Sequence, residues 1–267
     1  MRREQAGREY KGGISMRKII ISGCCGHMGR VVADICKNDP AVEIAAGIDL
    51  LAQPMEGFPV FTSPAACHVE ADAVIDFSHP AALAPLLDFC TERGLPVVLA
   101  TTGYSEEQLR QIDEAANTIP VFRSANMSLG VNVLMDLVRR AAALLGEDFD
   151  VEIEERHHRR KLDAPSGTAL MLADAASSAL PYEAEYVYDR HSVRKPRDGR
   201  EIGISSLRGG TIVGDHTVVF AGRDEVIELS HHAASREVFA VGAVRAAKFL
   251  AGVDRPGMYD MSNLISR

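Results

Sequence analysis

The sequence predicts an α/β protein: a doubly wound, mostly parallel sheet, followed by a second region built on a mixed sheet. Three observations carry this. A short apolar strand runs straight into Gly23-x-x-Gly26-x-x-Gly29 and then into a helical stretch. Strand-like and helix-like segments alternate from there to Phe122. Beyond Asn126 the alternation gives way to a long apolar helix and later to short alternating runs separated by glycines.

The elements follow in order. Residues 18–22 are apolar and β-branched, the pattern of a buried strand. Residues 31–37 have helical spacing and stop at Asn38-Asp39-Pro40. Strands are expected over 43–49, 71–78, 95–100 and 119–122. Helices are expected over 80–93 and 105–116, the second with Ser105 as N-cap. Strands covered by helices on both faces form parallel sheets. The second region opens with a helix over 131–145 and a strand over 150–155. A charged stretch leads from there into an Ala- and Leu-rich helix over 167–180, capped by Ser166. Strands over 202–207, 217–221 and 225–230 and a helix over 235–250 complete it, with Gly252 as C-cap. The boundary between the two regions is placed at 126/127.

Composition narrows the function. The chain has 267 residues, 46% of them hydrophobic and 25% charged, with a net charge of -8. That balance argues against a nucleic-acid binder, so a local basic cluster needs a local reason. No apolar run approaches the 18 or so residues that a membrane span requires. Cys24, Cys25, Cys36, Cys67 and Cys90 form no C-x-x-C pair, and they are expected as reduced thiols of a cytoplasmic protein. Residues 1–15 are polar and lack the apolar core of a secretory signal, so they are expected as a disordered extension.

The glycine loop is a dinucleotide site in this reading. Glycines let the backbone approach a pyrophosphate, and the following helix start offers free amides. Asp49 comes 20 residues after Gly29, the offset of a carboxylate that binds the adenosine ribose. The loop residues Gly23, Cys24, Cys25, Gly26, His27, Met28 and Gly29 are candidate coenzyme contacts. No metal is expected, because adjacent cysteines do not readily chelate one ion. A 2′-phosphate calls for a nearby cation, yet position 50 is Leu and no Lys or Arg occurs between Lys37 and Arg93. NADH is therefore expected over NADPH, with Arg30 as the one distant cation in reach. Ala100-Thr101-Thr102 and Ser124-Ala125-Asn126-Met127 follow strand ends and are expected to flank the nicotinamide. Asp76-Phe77-Ser78 has a weaker claim.

The stretch from Glu154 to Thr168 concentrates cations in an acidic protein. His157 exchanges protons near neutral pH, and Lys161 holds an anion or donates a proton. Pro165-Ser166-Gly167-Thr168 presents amides at a helix start, a seat for a carboxylate. His231-His232 is read as following a strand without a close carboxylate partner, hence structural or surface.

Glu155-x-His157-His158-x-x-Lys161-x-Asp163-Ala164-Pro165-Ser166-Gly167-Thr168-Ala169 resembles the signature of the dihydrodipicolinate reductases. The likeness extends to Gly23-x-x-Gly26-x-Met28-Gly29-Arg30, Asp76-Phe77-Ser78, Ala100-Thr101-Thr102-Gly103, Ala125-Asn126-Met127-Ser128 and Gly209-Gly210-x-Ile212-Val213-Gly214-Asp215-His216. The resemblance implies a Rossmann-like coenzyme domain over 16–126, completed by 236–267. It implies an α+β substrate and tetramerisation domain over 127–235, with an open mixed sheet, and a homotetramer. It implies reduction of 4-hydroxy-tetrahydrodipicolinate or dihydrodipicolinate, small cyclic dicarboxylates, to tetrahydrodipicolinate. His157 matches the family's proton donor and Lys161 its partner acid, the two converging on one ligand from a loop. His158, Gly167 and Thr168 match substrate contacts. Leu50 stands where the family often has a basic residue.

Overall fold

The computed structural model describes residues 16–51 and 53–266. The extension expected over 1–15 lies outside the described residues. Contacts divide the chain into two compact units: residues up to Val121 with Ala247–Gly257, and Phe122–Ala246 with Met258 onward. The boundary expected at 126/127 lies five residues beyond this division, and of the segment expected to complete the first region, 236–267, only 247–257 groups with it.

The first unit alternates as the sequence suggests. It runs through β1 (Arg17–Ser22), α1 (His27–Lys37), β2 (Val42–Ile48), β3 (Val60–Phe61) and β4 (Ala73–Asp76), then α2 (Leu83–Arg93), β5 (Val97–Leu99), α3 (Glu106–Ala116) and β6 (Pro120–Arg123). A 3-10 turn at Pro80–Ala82 precedes α2, because two prolines cannot continue an α-helical hydrogen-bond ladder. Ser105 caps α3 with a full capping box shared with Gln108. The β1 strand pairs in parallel with β2 on one side and β4 on the other, and β5 extends the sheet beyond β4. Its core is the apolar set expected of strands covered on both faces, including Ile20, Val74, Val97, Leu99, Leu86 and Ile112.

The second unit contains α4 (Leu129–Leu145), β7 (Asp150–His157), α5 (Gly167–Ser177), β8 (Glu185–Val187), β9 (Glu201–Arg208), β10 (Gly214–Ala221) and β11 (Val226–Ala233). The chain ends with α6 (Glu237–Leu250), β12 (Gly257–Tyr259) and α7 (Met261–Ile265). Strand order in the larger sheet is β12-β6-β5-β4-β1-β2-β3, and in the smaller sheet β11-β10-β7-β9-β8. The smaller sheet is mixed: β10 runs antiparallel to β7 and β11, while β7, β9 and β8 are parallel. Leu134, Val138, Leu172, Ala173, Ile153, Ile204 and Phe220 bury together where α4 and α5 cover that sheet. The β8–β9 connection is clipped down by charge, with Arg190 and Arg197 both paired to Glu152.

No described helix is long and apolar enough to cross a membrane.

Candidate active site

The order of the larger sheet reverses beside β1, and an open α/β sheet holds its ligand beyond the strand ends at such a point. The glycine loop leaves β1 there. Gly23 has a φ of +77°, and a Cβ on it would sit 2.6 Å from the Phe77 carbonyl oxygen. At Gly29 a Cβ would overlap the Gly23 carbonyl oxygen. Both glycines are thus required by close backbone approach, and Gly26 stands as the N-cap of α1 without a side-chain cap of its own. The helix start is left with its amides free of a capping side chain. Asp49, one residue past β2, accepts from the Cys25 amide at 3.0 Å and from the Leu51 amide at 3.0 Å. Arg30 donates from Nε to the Cys25 carbonyl at 3.0 Å and from Nη2 to Gln53 Oε1 at 2.8 Å.

The cysteines of this loop converge more closely than expected. Cys24 Sγ and Cys25 Sγ lie 3.9 Å apart, and each has a ligand atom within 4.8 Å of an Asp49 carboxylate oxygen. The geometric ground for setting them aside as chelators therefore does not hold. Burial, followed by the charge of its neighbour Cys25, pushes the Cys24 thiol up to about 12, so it keeps its proton near neutral pH.

Asp76, at the end of β4, does more than the sequence suggested. Its buried carboxylate accepts from Ser78 Oγ at 2.5 Å and from Thr101 Oγ1 at 2.8 Å. It thereby fastens the loop after β4 to the Ala100-Thr101-Thr102 loop after β5.

The second cluster lies wholly within the second unit. His157 is the last residue of β7 and is buried, not a loop residue as expected; only Lys161 sits in the loop that follows. The strand continues because β9 pairs beside it, opposing His157 to Arg208. His157 Nδ1 lies 2.6 Å from Glu155 Oε2. Glu155 is buried to 1% exposure and accepts two bonds from Arg208, at 2.8 and 2.7 Å. Its Oε1 also accepts from the Ser166 amide at 3.1 Å. Burial alone would raise the Glu155 pKa, but Arg208, His157 and Ser206 outweigh it and bring the carboxyl down to about 2.

Ser166 caps α5 by accepting from the Ala169 amide at 3.2 Å, and its Oγ lies 2.9 Å from His216 Nε2. His216 meets the His157 ring edge to face at 5.2 Å. Gly167 follows at the helix start, and a Cβ there would meet nothing within 4 Å. Asn126 donates to Thr168 Oγ1 at 3.2 Å, which joins one expected coenzyme-flanking residue to an expected substrate contact. Asn132 donates to the Asn126 and Ser128 carbonyls and shapes this turn, in which Ser124 Oγ also bonds the Asn126 carbonyl. His158 is half-buried; desolvation first, then the cations Arg160 and Arg236, lowers its pKa. Arg159 and Arg160 are exposed.

His231 and His232 lie inside β11, and His232 Nδ1 is 3.3 Å from Asp215 Oδ1. The expectation of no close carboxylate partner is corrected.

Family models match nearly all of this framework. One described as Dihydrodipicolinate reductase, N-terminus covers residues 17–127, and one described as Dihydrodipicolinate reductase, C-terminus covers residues 130–265. The chain belongs to the dihydrodipicolinate reductase family.

Dihydrodipicolinate reductase relatives run the full length of the chain's described fold. A protein of Caldanaerobacter subterraneus named 4-hydroxy-tetrahydrodipicolinate reductase is 53% identical over 252 residues, covering 94% of this chain and 99% of its own length. One of the same name from Clostridium tetani is 47% identical, covering 94% and 98%. A dipicolinate-bound dihydrodipicolinate reductase from Paenisporosarcina shares the fold with a TM-score of 0.78 at 24% identity, covering 93% of this chain and 99% of that one.

Sequence assigns no individual role to Glu155, Arg208 or His216, and marks Ser166 only as a helix cap within the carboxylate seat. Within the reductase signature Glu155 and Ser166 are present, but Arg208 and His216 reach them from β9 and β10, far away in sequence.

Proposed function

We propose that this chain catalyses the nicotinamide-dependent reduction of 4-hydroxy-tetrahydrodipicolinate, or of dihydrodipicolinate formed from it, to tetrahydrodipicolinate, in lysine and diaminopimelate biosynthesis. The observation that carries this is the full-length similarity to a protein of that name at 53% identity. The site chemistry agrees with it. Gly23 and Gly29 form a cradle that a side chain would fill, which fits a pyrophosphate.

The bound coenzyme supplies hydride, and NADH is the preferred form. Asp49 holds the ribose hydroxyls, while Ala100, Thr101, Thr102 and the turn Ser124-Ala125-Asn126-Met127 border the nicotinamide. His157 delivers the proton that quenches charge developing on the reduced ring, with Lys161 as partner acid. His158 and the helix-start residues Gly167 and Thr168 hold the substrate carboxylates, and the open space at Gly167 leaves room for one. The enzyme acts in the cytoplasm without a metal.

It assembles as a homotetramer through the mixed sheet, a reading supported by Leu207, Val226 and Ile227, apolar and exposed on β9 and β11. Light scattering on the eluting protein checks the assembly: a monomeric mass rejects it. The reaction is tested by following NADH oxidation with freshly generated synthase product. Turnover of the cyclic dicarboxylate is expected, and none with simple amino or keto acids. Absence of turnover overturns the assignment.

A further inference from the structure

Buried carboxylates need compensation, and Glu155 has an unusual amount of it. It takes one bond from His157 Nδ1, two from the Arg208 guanidinium and one from the Ser166 amide. These three partners come from three places: the end of β7, the end of β9 and the N-cap of α5. Arg208 reaches one step further and donates from Nη2 to the Asp163 carbonyl at 2.7 Å, in the loop that carries Lys161. One carboxylate therefore stands between the proton-carrying ring and the helix start that seats an anion.

The other side of the ring is shaped as well. A methyl group at Gly214 would lie 3.0 Å from His157 Nε2. Glycine at the start of β10 leaves that nitrogen uncrowded. Glu155 holds Nδ1, and Gly214 clears Nε2.

We propose that Glu155 is a positioning residue for the reduction. It accepts a hydrogen bond from the Nδ1–H of His157, which fixes the ring and its tautomer and leaves Nε2 as the atom that exchanges protons with substrate. Through the Ser166 amide it also sets where the α5 start stands relative to that ring. This rests on the reading of His157 as proton donor. A bond between a ring nitrogen and an ionised carboxylate is the usual way in which an imidazole is held in one tautomer. The low pKa of Glu155 keeps the carboxylate ionised across the neutral range. A purely structural ion pair with Arg208 needs no particular tautomer at His157, so the tautomer separates the two accounts.

The test is a ¹⁵N NMR measurement on the full-length, NADH-loaded protein with labelled histidine, the His157 signals being identified by their loss in His157→Gln. The wild type should show a protonated Nδ1 facing Glu155. In Glu155→Gln the ring should sample both tautomers, and kcat should fall at least tenfold while NADH affinity by fluorescence titration stays within twofold. Gly214→Ala, which leaves Glu155 intact, should lower kcat by crowding Nε2 and serves if Glu155→Gln does not fold. A neutral wild-type ring with its proton on Nε2, or full turnover in both variants, overturns the proposal. Wild-type protein inactive on the cyclic dicarboxylate overturns the proposed function instead, and the tautomer measurement still decides the role of Glu155.

Discussion

Lys161 Nζ lies 2.8 Å from Asp163 Oδ1, two residues along the same loop. The ammonium holds the Asp163 carboxyl below its ordinary range, chiefly through that hydrogen bond. Asp163 is more than half exposed, so the pair contributes little to stability. It restrains where the lysine points.

Lys161→Ala should therefore act on turnover. Loss of a positioned acid costs about 10²–10⁴ in rate. A kcat reduced in that range, with NADH affinity unchanged by fluorescence titration, is expected. Asp163→Asn should cost less, because the lysine remains. Full turnover in Lys161→Ala would remove it from the mechanism.

Stability should fall on acidification in two successive windows. His216 is pushed down from the ordinary 6.5 to about 4, first by burial and then by His157. The folded state thus resists a proton that the unfolded chain accepts. Its contribution is complete above pH 6.5 and is lost as pH falls toward 4. At ~1.4 kcal/mol per pKa unit the loss is on the order of 3 kcal/mol. Glu155, lowered to about 2, contributes fully above 4.5, and that contribution disappears as pH falls toward 2. Urea unfolding of His216→Asn should show a flatter profile between pH 6.5 and 4; an unchanged slope would exclude His216 as the cause.

Coenzyme preference turns on Arg30, whose guanidinium is engaged by the Cys25 carbonyl and Gln53. With Leu50 beside Asp49, kcat/KM should be higher for NADH than for NADPH. Arg30→Ala should depress NADPH use more than NADH use. A clear NADPH advantage in the wild type contradicts the preference.

Gly29→Ala should damage the coenzyme loop directly. Its new methyl group collides with the backbone at Gly23, not with a side chain that can swing away. Destabilisation of at least about 1–3 kcal/mol in urea is expected, together with loss of NADH binding. Wild-type affinity in this variant would mean that the loop has slack.

Much of the first unit could be read from sequence because its cues are local. The β1 strand, the glycine loop and the N-cap at Ser105 each sit within a few adjoining residues. The short strands β3, β8 and β12 were not read: two or three residues carry no period, and unlike β5 (Val97–Leu99) none of them lies in an apolar run as long as 95–100. Pairings across strands were hidden for another reason. His232 faces Asp215 because β10 and β11 pair in that register. Arg208 meets Glu155 because β9 lies beside β7. Sequence marked the histidine of the site but not the role of the carboxylate that holds it, because the guanidinium that compensates that carboxylate arrives through sheet register.

The first unit is split in sequence between residues up to Val121 and Ala247–Gly257, with Lys248 paired to Asp39 at 2.7 Å. A ribosome delivers those two pieces far apart in time. The nascent coenzyme unit must wait, incomplete, while the whole of 122–246 is made. Its β6 edge, which β12 covers, and the surface that receives 247–257 stay open until then, and the second unit in turn waits for its own last segment, from Met258 onward.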